Sequence, residues 1–150
     1  MRSIPKSALA LGLAGLLPFL WSALTVLAPD LGLWAARTLG PRFIGPYVGL
    51  SYGTVILSFM SGVLWGFATR ASGMVAASGY ALSVIPALWA FVMVGGGPVG
   101  AGVNLIFGFV GLLGLDWLFW RHGLAPRWWM ALRVALSVVV VICLAVGVYL

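Results

Sequence analysis

Acids are nearly missing from this chain. Asp30 and Asp116 are the two carboxylates in 150 residues, beside eight Lys and Arg, a single histidine (His122) and a single cysteine (Cys143). Each shortage excludes a class of chemistry. Two distant acids and one histidine leave few groups for acid–base catalysis. The chain contains no Ser/His/Asp or Cys/His set and no second histidine to pair in a haem or metal site. Walker and dinucleotide glycine patterns are also missing. An enzymatic role is therefore not expected, and no metal site or cofactor is predicted, although a bound lipid or quinone is compatible with so apolar a chain. One cysteine cannot form an intrachain disulfide. Charged residues make up only 7% of the chain, against about a quarter in a soluble globular protein, which excludes a water-soluble fold.

What the chain has instead is long apolar runs. The hydrophobic fraction is 63% and the mean hydropathy is +1.18. Crossing a hydrocarbon layer takes roughly 20 apolar residues, and five such runs are separated by short polar or Gly/Pro punctuation. They predict an all-α integral membrane protein in one domain over 1–150, a compact bundle with spans at about 7–28, 47–69, 74–94, 100–120 and 128–150. A transmembrane barrel would alternate apolar and polar residues over roughly 10 positions, and these runs are continuous and twice as long. The N-terminus (Ile4-Pro5-Lys6 before an apolar stretch) resembles a signal peptide. The stretch is longer than a signal core and no small-x-small cleavage site follows, so it is read as a retained first span.

The basic residues give an orientation. With five spans, Arg2, Lys6, Arg70, Arg121, Arg127 and Arg133 fall on one side, and Arg37 and Arg42 on the other. The positive-inside rule then places the N-terminus in the cytoplasm and the C-terminus outside. Because these cations are scattered at span ends, the formal charge of +6 does not indicate a nucleic-acid partner. The segment between spans one and two, Asp30–Pro46, mixes apolar and polar residues and is expected to lie along the interface as a short helix, interrupted near Gly40-Pro41.

Few groups inside the spans carry any chemistry. Asp116 is the one acid in a span, and intramembrane acids face the bundle interior or a partner. The turn after span four centres near Leu124, eight residues beyond Asp116 and nine before Arg133. An antiparallel hairpin would bring both to one depth, so an Asp116–Arg133 ion pair is expected, with Arg70 and Arg121 as rival partners. Ser51, Thr54, Ser58 and Ser61 alternate three and four apart in span two and share one helical face. That face would serve helix packing or, alternatively, a polar path. Asn104, Gly108 and Gly111, together with Gly100, repeat the pattern in span four, and Gly15, Pro18, Ser22 and Thr25 in span one, so spans one, two and four are expected to meet. Pro18 and Pro86 should kink their helices. His122 is expected to be a solvated loop residue.

The run Tyr52-Gly53-Thr54-Val55-Ile56-Leu57-Ser58-Phe59-Met60-Ser61-Gly62-Val63-Leu64-Trp65-Gly66 resembles the signature of an uncharacterised multi-pass family, "domain of unknown function 3429", which includes the mitochondrial transmembrane protein 69. Ile4-Pro5, Ser83-Val84-Ile85-Pro86, Asp116, Gly123-Leu124-Ala125-Pro126-Arg127-Trp128-Trp129 and Leu132-Arg133 fit the same family. Its pattern often has histidine before the motif's tryptophan, where this chain has Leu64. The resemblance implies an energy-transducing membrane, here a bacterial inner membrane, and implies no activity. The tryptophan-rich sensory family is of similar length, but its Trp- and Pro-rich first loop is missing. From these features the expected function is that of an accessory, scaffold or assembly subunit, packed in the lipid bilayer against other integral membrane proteins or itself. The alternative is a carrier or channel for a small solute, ion or proton along helix two.

Overall fold

A computed structural model describes residues 4–150, so Arg2 lies outside the described residues. Five helical rods are long and apolar enough to cross a membrane: Lys6–Leu27, Tyr47–Ala68, Gly73–Met93, Pro98–Arg121 and Trp129–Tyr149. Two of the rods are broken by proline. The first divides into α1 (Lys6–Ala14) and α2 (Leu17–Leu27), because Pro18 has no amide hydrogen for the Ala14 carbonyl. The third divides into α5 (Gly73–Ser83) and α6 (Ile85–Met93) beside Pro86. Here the freed Ala87 N–H donates to Ser61 Oγ at 2.8 Å, so a hydroxyl from the second rod caps the break in the third. The unbroken rods are α4 (Tyr47–Ala68), α7 (Pro98–Arg121) and α8 (Trp129–Tyr149).

Between the first two rods runs α3 (Pro29–Thr38), then a 3-10 turn at Pro41–Phe43. The helix stops at Gly40, whose φ of 106° is open to glycine and strained for other residues. Side chains of span one hold this segment. Trp21 Nε1 donates to the Phe43 carbonyl at 2.6 Å, and the Gly45 N–H donates to Thr25 Oγ1 at 2.7 Å. Gly32 faces the Thr25 carbonyl closely enough that a Cβ would sit 2.9 Å from it.

The α7–α8 hairpin has the most extensive contact in the bundle; α2 packs on α8 and α4, and α4 also meets α5, α6 and α7. Phe19, Leu57, Leu64, Leu105, Phe109 and Leu112 form the fully buried centre. Spans one and four meet at the Phe19–Phe109 ring pair, with centroids 5.9 Å apart. The broad wall against span one comes from span five, not from span four as the glycine stripes suggested.

The small-residue stripes are also corrected. The buried face of α4 is Gly49, Gly53, Leu57, Met60, Ser61, Leu64 and Ala68. Ser51 and Ser58 are exposed, and Thr54 is half-buried. Thr54 and Ser58 can face lipid because their own helix satisfies them: Thr54 Oγ1 donates to the Leu50 carbonyl at 2.8 Å and Ser58 Oγ to the Thr54 carbonyl at 3.0 Å. Such back-bonding removes the reason to turn a hydroxyl inward. On α7, Gly108 is buried between Trp89 and Leu57, but Gly100 and Gly111 face open space. The Pro86 break explains the difference. α6 packs closely on α7, whereas α5 diverges from it and leaves the level of Gly111 uncovered.

Glycines 108 and 111 therefore give opposite expectations. Gly108→Val should lower the thermal unfolding midpoint in detergent, because its side chain meets Trp89 and Leu57 where even a Cβ stands at 2.8–2.9 Å. Overpacking of this kind costs about 1–3 kcal/mol. Gly111→Val should leave the midpoint unchanged or raise it. Equal losses at both positions would contradict this packing.

Candidate functional site

The turn that joins α7 to α8 sets up the one buried charge pair among the described residues. α7 ends in a glycine reversal at Gly123, φ 75°. The Leu124 N–H donates back to the Phe119 carbonyl at 3.0 Å and the Gly123 N–H to the Trp120 carbonyl at 3.1 Å. This closes the helix end as a Schellman-type cap. Trp129, Arg133 and Ser137 then follow at four-residue spacing on α8 and share the face toward α7 and the core.

Asp116 is fully buried and both of its oxygens are occupied. Arg133 Nε donates to Oδ2 at 2.9 Å. Trp129 Nε1 donates to Oδ1 at 3.0 Å. Arg133 is itself 6% exposed. Charge-assisted bonds in a low-dielectric surround are short and strong, and they have to be, because removing two charges from water costs several kcal/mol each. The Trp129 ring also stands edge-on to Phe67 of α4 at 5.0 Å, so the clamp joins three rods. A carboxylate held by two fixed donors suits a structural role better than a proton relay, which needs an oxygen free to exchange partners.

Of the four charged candidates, Asp116 and Arg133 come together and the other two do not join them. Arg70 Nη1 donates to the Leu124 carbonyl at 3.1 Å, tying the end of α4 to the hairpin turn. Arg121 lies over the Trp117 ring at 5.2 Å. His122 Nδ1 lies 2.9 Å from the Leu118 carbonyl. Asn104 is far from Asp116, twelve residues along α7 or about 18 Å at 1.5 Å per residue. Its Nδ2 donates to the Met93 carbonyl at 2.9 Å and caps the end of α6, while Trp89 Nε1 donates to the Asn104 carbonyl at 2.7 Å. The hydroxyls of α4, the asparagine and the aspartate therefore lie at three separate places. A polar path along helix two does not assemble, since Ser51 and Ser58 face outward and Ser61 is engaged with Ala87.

Trp129 and Ser137 belong to this region. The sequence alone places Trp129 in an aromatic belt at the fourth loop without linking it to Asp116, and does not single out Ser137. Trp129 reads naturally as an interfacial belt residue. The available signal was its four-residue spacing from Arg133, which puts an indole donor and a guanidinium on one face at the depth of Asp116.

These features define a multi-pass helical membrane protein with a buried ion-pair clamp. A family described as "Protein of unknown function (DUF3429)" matches residues 4–149, and the chain belongs to that family. It is similar to "Transmembrane protein 69" of Xenopus tropicalis, with 33% identity over 148 residues, covering 96% of this chain and 54% of the relative. The chain thus spans about half the length of this curated relative. No solved structure matches.

The clamp is open to a mutant cycle read by unfolding in micelles. Asp116→Leu or Arg133→Met alone should destabilise by about 3–5 kcal/mol, since each leaves a buried charge without its partner. The double variant should recover most of that loss. Additive losses would show that the two side chains act independently.

Proposed function

We propose that this protein is a non-enzymatic membrane accessory subunit, a small rigid bundle that packs against other integral membrane proteins. The observation that carries this reading is a set of outward glycines. Gly62 and Gly66 on α4, and Gly111 and Gly114 on α7, have nothing within 4 Å of the position a Cβ would take. Glycine in a helix interior costs about 1 kcal/mol relative to alanine, and here no contact within the chain compensates. In a bilayer, small residues four apart, as Gly62 and Gly66 are, let a second helix approach backbone to backbone. Inside the bundle, by contrast, three polar groups of the spans hold partners within the chain: Asp116 with Arg133 and Trp129, Ser61 with the Pro86 break, and Asn104 with the end of α6.

The same proposal places the protein in a bacterial inner membrane, on the family's implied association with energy-transducing membranes; the Xenopus relative extends the family to an animal. It also places the N-terminus inside. Lys6, Arg70, Arg121 and Arg127 gather at the end of the bundle where α1 and α8 begin, and Arg37 and Arg42 at the opposite end. This asymmetry favours the first end as cytoplasmic.

Two measurements test these proposals. Extracted from its own membrane with its lipid, the chain should migrate in an assembly larger than a monomer. Gly62→Leu combined with Gly66→Leu should reduce that assembly without lowering the unfolding midpoint of the isolated chain. A monomer at native expression level would overturn the accessory role. Alkaline phosphatase fused after Leu150 should be active, since that enzyme folds only outside the cytoplasm, and an inactive but intact fusion would reverse the orientation.

A further inference from the structure

Beside the clamp lies a cavity of about 290 Å³ bounded by the first rod, α4, α7 and α8. Its walls are mostly apolar and its polar groups sit together. Ser137 is 4% exposed, lines the cavity, and its Oγ has no hydrogen-bond partner among the described residues. Arg133 lines the same space. It reaches Asp116 through Nε, and among the described residues no hydrogen bond engages its terminal nitrogens. Tyr52 is a third polar wall residue, and no hydrogen bond of its hydroxyl is formed among the described residues either. Buried polar groups are almost always paired, so an unpaired hydroxyl beside an under-used guanidinium calls for an acceptor from outside the chain.

The shape of the space narrows the kind of acceptor. The break at Pro18 lets α1 lean on α8 with little contact to α4. An entrance from lipid follows between the first two rods, rimmed by Leu11 and Phe59, which are 74% and 63% exposed. The occupant therefore arrives from the membrane. Its head must be neutral. The Arg133 charge is already balanced by Asp116, and an anionic head would bring an uncompensated charge into hydrocarbon. The inner walls carry aromatic rings: Phe19 stands edge-on to Tyr52 at 5.1 Å and to Phe109 at 5.9 Å. Such walls favour a flat ring over a branched glycerol head.

We propose that this cavity binds the head ring of a lipid-soluble quinone, with one ring carbonyl accepting hydrogen bonds from the free end of Arg133 and from Ser137, the other accepting from the Tyr52 hydroxyl, and the tail leaving between the first rod and α4. The site is one of binding; no electron transfer is assigned to it. It stands independently of the accessory role, since a quinone-binding monomer would overturn that role and leave this site intact.

The experiment uses the full chain in lipid nanodiscs and a decyl-substituted benzoquinone as the probe, with a photoreactive azido derivative to locate it. Binding should saturate, and the label should fall on the peptides that contain Gly12–Phe19 or Tyr52–Phe59. Ser137→Val should weaken binding about tenfold, the loss of one buried hydrogen bond, without lowering the unfolding midpoint, because it removes an unpaired hydroxyl. Tyr52→Phe gives a second variant, expected to weaken binding while leaving the fold unchanged. Non-saturable uptake, labelling elsewhere, or wild-type affinity in both variants would overturn the site. So would saturable binding of a monoacylglycerol or a fatty acid in preference to the quinone.

Discussion

Hydrocarbon offers no hydrogen bonds, and the arrangement of this protein follows from that constraint. A polar atom within the spans must find its partner in the chain or in something the chain binds. The Asp116 carboxylate is the most demanding case, and three residues from two helices are committed to it: the acid itself, Arg133 and Trp129. Removing this pair from water is costly, so its worth is better seen in what it specifies than in net stability. It sets the register of α7 against α8, because a slip of one residue would turn Arg133 or Trp129 off the face that meets the acid. The most extensive helix contact in the bundle forms on that register.

The same constraint explains how the chain tolerates two mid-span prolines. Each frees backbone groups that lipid cannot satisfy. At Pro86, Ser61 from a neighbouring rod accepts the freed Ala87 amide. At Pro18 the helix tightens, with the Leu16 N–H donating to the Leu13 carbonyl at 3.1 Å. The consequences differ. The break at Pro86 separates α5 from α7 and uncovers Gly111, whereas the break at Pro18 leaves α1 with little contact to α4 while α2 stays packed on it. Both openings lie where a helix has changed direction, so the sequence positions of two prolines decide where the surface of the bundle is not closed.

Span number and limits were legible because membrane thickness makes run length informative, and proline, glycine and arginine mark the ends. The depth match of Asp116 and Arg133 was legible too, since a tight turn makes residues equidistant from it neighbours. The direction each helix faces was not. In water a hydroxyl stripe marks the outside, and in a membrane that inference has no sign, because lipid is as apolar as a packed core. Ser51 and Ser58 illustrate the ambiguity. Their spacing placed them correctly on one face, but that face points outward, where Ser58, like Thr54 beside it, back-bonds to its own helix. Ser61, one further step along the same stripe, faces inward because it falls on the edge shared with Met60 and meets the Ala87 amide. The glycines of α7 show the same limit: spacing groups Gly108 with Gly111, and the divergence of α5 separates them.

This division between an engaged interior and a small-residue exterior constrains what the bundle can do. A carrier needs polar groups that change partners as a solute passes, and it needs them in register across the membrane. Here Asp116, Asn104 and Ser61 each hold a fixed partner, on different helices and at different depths. Moving any of them would break a hydrogen bond that hydrocarbon cannot replace. Rigidity of that kind favours a part that presents surfaces over one that cycles between states. The groups still unsatisfied, Ser137 and the outer end of Arg133, lie together on one cavity wall. Since they share a helix face with Trp129, whatever occupies that wall adjoins the clamp that sets the α7–α8 register. An occupant of the cavity would therefore bear on the hairpin and, through the Trp129–Phe67 contact, on α4, the helix that carries the outward Gly62 and Gly66.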